Sequence, residues 1–96
     1  MTAKYDILSD VTASPTRIEI INKLYDSSDG LAFDKIAKQL SPNTVNIQRH
    51  LDVLLKDKLI EIKNGMYTLS RDGQNIYSVL VEVAKKAKDE KIFSTT

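Results

Sequence analysis

A β-hairpin signal over residues 59–70 constrains the fold of this chain more than any other feature of its sequence. Asn64-Gly65 is the dipeptide most typical of a two-residue type I′ turn, in which both residues take a positive φ. This turn places every strongly apolar side chain except that of Met66 on one face of the hairpin: Ile60, Ile62, Tyr67 and Leu69. A one-residue shift in register would scramble this pattern. Because a hairpin is unstable alone, we expect its apolar face to rest on the preceding helices.

Apolar residues at helical spacing predict helices on both sides of the hairpin. The first covers about residues 4–11 and the second about 15–27, with Ser14 as N-cap and Pro15 at the first helical position. A long last helix is expected over about 71–92. The fold class is therefore mainly α with a small β-hairpin.

Two further short helices are predicted over about residues 33–57, separated by only about three residues. This arrangement is a helix-turn-helix. Asn43 is the expected N-cap of its second helix, and Ser41 followed by Pro42 is the competing N-cap. The wing that follows occupies about 59–70, so all the elements belong to one predicted domain over 1–96.

Composition removes several classes of function. The 96 residues include no cysteine and one histidine, so a thiolate metal site or a multi-histidine site is not expected. The three glycines are isolated and form no phosphate-binding loop. We expect no enzyme activity, no cofactor and no metal. Apolar runs are too short for a membrane helix, and Asp6 and Asp10 interrupt any export signal, so the expected location is cytoplasmic.

The last helix carries more apolar surface than so small a core requires. Ser70 is its predicted N-cap. Its apolar seam and the facing residues of the first helix form a predicted homodimer interface: Tyr5, Leu8, Ile76, Leu80, Val83 and Ala87. An exposed apolar stripe on a small domain usually marks a partner surface. The alternative is that this helix folds wholly onto its own domain.

The order of the elements is that of a winged helix-turn-helix. The segments SPTRIEIINKLYD, IQRHLDVLLKDKLIEI and KNGMYTLSRDG together resemble the ArsR-like transcriptional regulators, especially the small single-domain regulators of archaea and their viruses. The resemblance covers about residues 14–73 and implies a winged-helix fold that binds double-stranded DNA. Ser41 stands where the family usually has glycine in the turn, and the family's metal-sensing ligands are not present.

The second helix of the helix-turn-helix carries residue types that read base edges. Asn and Gln can bond bidentately to adenine and Arg to guanine. The candidate DNA-binding residues on this helix and on the wing are Asn43, Thr44, Asn46, Gln48, Arg49, Lys56, Lys63 and Asn64. The alternative is that these side chains only solvate a surface helix. Asp34, Asp52 and Asp57 lie near the proposed surface and work against non-specific affinity.

The roles of three polar residues, His50, Lys63 and Arg17, are considered separately. His50 is expected to be partly buried, to bond the backbone and to brace its helix, with phosphate contact as the alternative. Lys63 at the wing tip could contact phosphate or the minor-groove edge, or could simply be solvated. Arg17 is a weaker candidate for a phosphate contact.

Together these features predict a sequence-specific transcription regulator that acts as a homodimer on a palindromic operator. The alternative is a winged-helix protein-interaction module that does not bind DNA, which the net charge of only +1 favours. An architectural chromatin protein is a third possibility, but it would normally carry more basic residues than 14 against 13 acidic ones.

Overall fold

A computed structural model describes the backbone of residues 4–40 and 44–94, and the side chains of residues 7–40 and 44–86. The elements follow one another as α1 (Lys4–Thr12), α2 (Pro15–Tyr25), α3 (Phe33–Gln39), α4 (Ile47–Lys56), β1 (Ile60–Lys63), β2 (Met66–Leu69) and α5 (Arg71–Ser94). This order confirms the predicted fold class, a mainly helical winged helix-turn-helix with one antiparallel hairpin and a long last helix.

The hairpin has the predicted register. Ile62 pairs with Tyr67 across the two strands, and Asn64 and Gly65 take φ values of 53° and 77°, as a type I′ turn requires. The base of the hairpin is buried in the core, but Ile62 is 51% exposed. The expectation that Ile62 rests on the helices is therefore wrong, because the tip of the wing extends beyond the core.

A short bridge between Leu31 and Tyr67, which the sequence does not predict, extends the hairpin. The two residues exchange backbone hydrogen bonds of 2.9 and 2.8 Å. Gly30, at φ +87°, makes the approach possible, since a Cβ there would lie 2.6 Å from the Thr68 side chain. The bridge thus fastens the wing to the segment between α2 and α3.

The core is built from the apolar stripes of the helices and the base of the wing. Its fully buried large side chains are Val11, Ile20, Ile21, Ile36, Leu51, Leu54 and Leu59. Burial of one such side chain stabilises the fold by roughly 1.5–3 kcal/mol. The apolar residues of α4 form one such stripe, with Leu51 and Leu54 inside and Ile47 and Leu55 packed at its edge.

Two predicted helix caps are confirmed. The Ser14 hydroxyl accepts from the backbone N–H of Arg17 at 3.4 Å, and Pro15 occupies the first position of α2. At α5, the Ser70 hydroxyl accepts from the N–H of Gly73 at 3.0 Å and donates to the carbonyl of Lys58. Ser70 therefore joins the start of α5 to the end of α4.

The start of α4 differs from the prediction. Asn43 lies outside the described residues, and the residue that caps α4 is Asn46, at φ 59° and ψ 37°. The predicted N-cap at Asn43 is therefore wrong. Asn is one of the few residues other than Gly that tolerate this left-handed conformation. Because the conformation is not helical, the helix begins only at the next residue, Ile47. Thr44 and Val45 consequently precede the helix instead of forming its first turn.

Candidate nucleic-acid interface

The outer face of α4 is polar and exposed along its whole length. Its solvent-facing residues are Gln48, Arg49, Asp52 and Lys56, opposite the buried leucines. The Gln48 amide donates to the Asp52 carboxylate at 2.9 Å, a pair that their i, i+4 spacing favours. The helix therefore presents a guanidinium, an amide held by a carboxylate, and an ammonium group.

The three residues before α4 extend this face. Val45 is 69% exposed, Asn46 is exposed, and Thr44 is half-buried. The Asn46 side chain makes no capping hydrogen bond to the helix that it precedes. A side-chain amide and an apolar side chain thus lie on the surface at the N-terminal end of α4, the end that reaches base edges in helix-turn-helix complexes.

The wing tip also carries an exposed basic group. The Lys63 ammonium lies 3.5 Å from the Glu61 carboxylate, and both side chains are at least half exposed. An exposed ion pair of this kind contributes about 0–1 kcal/mol, so Lys63 can exchange Glu61 for another anion at small cost. Asn64 is also exposed at the turn.

His50 is half-buried and braces α4 through a side chain. Its Nδ1 accepts a hydrogen bond from Nε of Arg17 at 3.2 Å. The predicted bracing role is thus supported, but the observed partner is not the backbone. Burial, followed by the charges of Arg17 and Arg49, lowers the pKa of His50 from 6.5. The ring is therefore neutral at pH 7, and its proton lies on Nε2 because Nδ1 accepts.

Arg17 connects three helices. Besides His50 on α4, its Nη1 donates to the backbone carbonyl of Asp10 near the end of α1. The guanidinium is thus held between α1 and α4 and is half-buried. These contacts do not support the weaker expectation that Arg17 contacts a phosphate.

Asp57, at the C-cap of α4, is buried, with only 5% exposure. Burial, then a hydrogen bond with the Asp10 carboxyl and the charge of that carboxyl, raises the pKa of Asp57 from 3.8 to about 6. Its Oδ2 atom has no hydrogen-bond partner among the described residues. The expectation that Asp57 belongs to the exposed surface is therefore wrong, because the end of α4 turns this side chain inward against α1.

A groove of about 480 Å³ lies between α1 and α5 on another face of the molecule. Its lining residues are Ile7, Leu8, Leu59, Asp72, Asn75, Ile76 and Val79. Further along α5, Val81 and Val83 are 46% and 56% exposed. Val83 lies four residues after the groove-lining Val79 and therefore on the same side of α5, and we call the groove together with Val83 the α1–α5 face.

The predicted seam divides into two parts. Ile76 and Leu80 are partly buried and pack against the core of their own chain, whereas Val83 is exposed. Next to them, the Tyr77 ring stacks on Tyr25 with centroids 3.8 Å apart. The side chains of Tyr5 and Ala87 lie outside the described residues. The first half of α5 thus folds onto its own domain, whereas the side chains described beyond it, at residues 81–86, are exposed.

None of the helices described is both long and apolar enough to span a membrane. In the same part of the chain, no three His, Cys, Asp or Glu side chains come together in a way that could hold a metal ion.

Comparison with known proteins gives a match of fold. No protein-family model and no curated protein matches the sequence. The crystal structure of a MarR family transcriptional regulator from Silicibacter pomeroyi is similar with a TM-score of 0.73 and 18% sequence identity. The match covers 94% of this chain and 65% of that regulator, so the chain spans just under two thirds of its length. The architecture of this protein is therefore the winged-helix fold found in that transcription regulator.

Proposed function

We propose that this protein is a DNA-binding transcription regulator of the ArsR-like, small single-domain type that acts in the cytoplasm. The observation that carries the proposal is the exposed polar face of α4, set on a buried leucine stripe and followed by an exposed wing. A helix of this width fits the major groove, and this face presents the side chains that such a helix needs there.

We assign base reading to the N-terminal half of the face and phosphate binding to its borders. Arg49, Gln48 and Asn46 carry groups that can make bidentate contacts with guanine or adenine. Thr44, at the same end, would also read bases, and the remaining candidates, which would hold the DNA backbone, are Asn43, Lys56, Lys63 and Asn64. Gln48 would have to release Asp52, and Lys63 would have to release Glu61, before either contacts DNA.

We further propose a homodimer that pairs through the α1–α5 face and binds a palindromic operator. The exposed valines of α5 and the open groove beside Leu8 support this assembly. A two-fold dimer would present two copies of α4 to two half-sites of one operator.

A protein-interaction module that does not bind DNA is the second candidate. The net charge of +1 favours it, because a non-specific DNA binder normally carries a clear excess of positive charge. The two candidates differ in what the α4 face contacts.

Fluorescence anisotropy with the DNA upstream of the protein's own gene, and with a scrambled duplex, tests the choice. We expect tighter binding to the upstream DNA, with an affinity that falls as salt rises. Arg49→Ala should lose roughly ten- to hundredfold affinity for the upstream DNA only, because one bidentate contact discriminates by about 1–3 kcal/mol. Arg71→Ala, which removes an exposed charge at the start of α5 that is assigned neither to DNA contact nor to the α1–α5 face, is the matched control and should bind as wild type does.

Equal, weak binding to both duplexes by every variant would favour the protein-interaction module. An equal loss on both duplexes for Arg49→Ala would make Arg49 a phosphate contact and leave base reading to Asn46 and Gln48.

A further inference from the structure

Four ionisable side chains from three helices meet on the inner side of α4. Asp10 comes from the end of α1, Arg17 from the first turns of α2, and His50 and Asp57 from α4. Arg17 joins His50 to the Asp10 backbone, and the Asp57 carboxyl contacts the Asp10 carboxyl. The recognition helix is thus held against α1 by polar contacts at two points.

The contact between the two carboxyls is unusual because one of them is buried. Asp57 is 5% exposed, and its Oδ2 has no partner among the described residues. Two carboxyls can hydrogen-bond only when one of them carries a proton, since an ionised carboxylate only accepts. When both are ionised, they repel each other where water provides little screening.

We propose that Asp10 and Asp57 form a proton-dependent clamp between α1 and α4, and that the affinity of α4 for DNA follows the state of this clamp. This inference rests on the proposed function. With one proton shared, the clamp is closed and α4 is fixed. Loss of that proton opens the clamp at the C-terminal end of α4, while Arg17 still holds the helix at His50.

The charges around the pair allow this titration near neutral pH. Lys56 on α4 and Arg17 on α2 favour the ionised form of Asp57, but burial and Asp10 oppose it more strongly, and the pKa of Asp57 is about 6. His50 faces Arg17 and Arg49, and burial together with these two charges lowers its pKa from the ordinary 6.5.

Opening the clamp weakens DNA binding for two reasons that act in the same direction. It frees the end of a helix that must be fixed to read bases, and it adds a negative charge beside Lys56, a proposed phosphate contact. We therefore expect DNA affinity to rise as the pH falls through the pKa of Asp57.

The test compares DNA affinity at about pH 5.5 and pH 8 for four proteins of full length. Wild type should bind its upstream DNA roughly five- to tenfold more tightly at the lower pH, the size of a typical coupling between two sites. Asp57→Asn, which keeps a hydrogen-bond donor toward Asp10 but cannot ionise, should bind tightly at both values. Asp34→Asn removes an exposed charge on α3 and should keep the wild-type pH dependence.

His50→Gln is the fourth protein and excludes the imidazole as the source of the effect. It should keep the pH dependence, because Gln can still accept from Arg17. Full pH dependence in Asp57→Asn, or its loss in His50→Gln, would overturn the clamp. Circular dichroism checks that each variant is folded, and Asp10→Asn repeats the test from the other side of the pair.

Carboxyl carbon NMR of the DNA-free protein separates failure of the clamp from failure of the proposed function. A pKa near 6 for Asp57, with amide signals of α1 shifting along the same curve, supports the clamp even if no duplex binds. A pKa near the ordinary 3.8, or α1 signals that do not respond, would overturn the clamp even if DNA binding is confirmed.

Discussion

Replacing Asp57 with Asn should stabilise the protein at high pH and leave its stability at low pH nearly unchanged. The pKa of Asp57 is raised from 3.8 to about 6 in the folded protein. Each unit of difference between folded and unfolded states is worth about 1.36 kcal/mol, so the ionised carboxylate costs the fold roughly 2–3 kcal/mol.

The sign follows from the direction of the shift. A carboxyl whose pKa is raised by folding is easier to keep neutral in the native state. The free-energy cost of ionising Asp57 in the fold is absent below the pKa of the unfolded chain. This cost grows between about pH 4 and pH 6 and is complete above the pKa of the folded protein. Asn at this position is never charged, and its amide can donate to Asp10 at every pH. The variant should therefore gain most at pH 8.

Urea denaturation at about pH 4.5 and pH 8 measures this difference, because the change in midpoint converts to a free energy when the slope is unchanged. Asp52→Asn, on the exposed face of the same helix, is the matched control and should show no comparable pH-dependent gain. If Asp57→Asn and wild type differ by the same amount at both pH values, Asp57 does not titrate as a buried carboxyl.

Three other substitutions test separate features. Lys58, at φ 61°, occupies the left-handed position after α4, where Gly is preferred, so Lys58→Gly should raise the free energy of unfolding by roughly 0.5–1 kcal/mol in urea denaturation. A Cβ at Gly73 would collide with the carbonyl oxygen of Leu59, so Gly73→Ala should lower it by roughly 1–3 kcal/mol; no loss would mean that α5 can shift freely. Val83 is 56% exposed, so Val83→Glu should yield a folded monomer by light scattering if α5 forms the dimer; a folded dimer would place the interface elsewhere.

The features that the sequence predicts correctly are determined by neighbouring residues. The Asn64-Gly65 turn fixes the strand register by its own geometry, and Ser14 and Ser70 cap helices that begin at the next residue. The buried stripe of α4 follows from helical periodicity alone.

The features that it misses depend on contacts between distant segments. The bridge from Leu31 to Tyr67 crosses 36 positions of sequence, and only the isolated Gly30 hints at the close approach. Asp is a residue type typical of the surface, yet Asp57 is buried and hydrogen-bonds with Asp10, which lies 47 positions earlier in the sequence. The sequence offers two N-cap patterns before α4, at Asn43 and at Ser41 followed by Pro42. Neither pattern indicates the left-handed backbone of Asn46, after which α4 actually begins.

The candidate interface was predictable in part. The exposed positions of Gln48 and Arg49 follow from the helical pattern, and their place on the surface agrees with the structure. The pairing of Gln48 with Asp52 could have been found from their i, i+4 spacing. The position of Arg17 between α1 and α4 could not, because it requires the packing of three helices.

The two polar pairs on the proposed interface bear on whether the proposed selection of DNA is compatible with so small a net charge. Gln48 is held by Asp52, and Lys63 faces Glu61, so each group already has a partner in the free protein. A duplex that offers only phosphates gains little by replacing those partners, since exposed pairs and phosphate contacts are both weakened by salt. A duplex with the right base edges adds bidentate contacts that the carboxylates cannot supply. The acidic partners therefore lower non-specific affinity more than specific affinity, which makes a net charge of +1 compatible with sequence-specific binding.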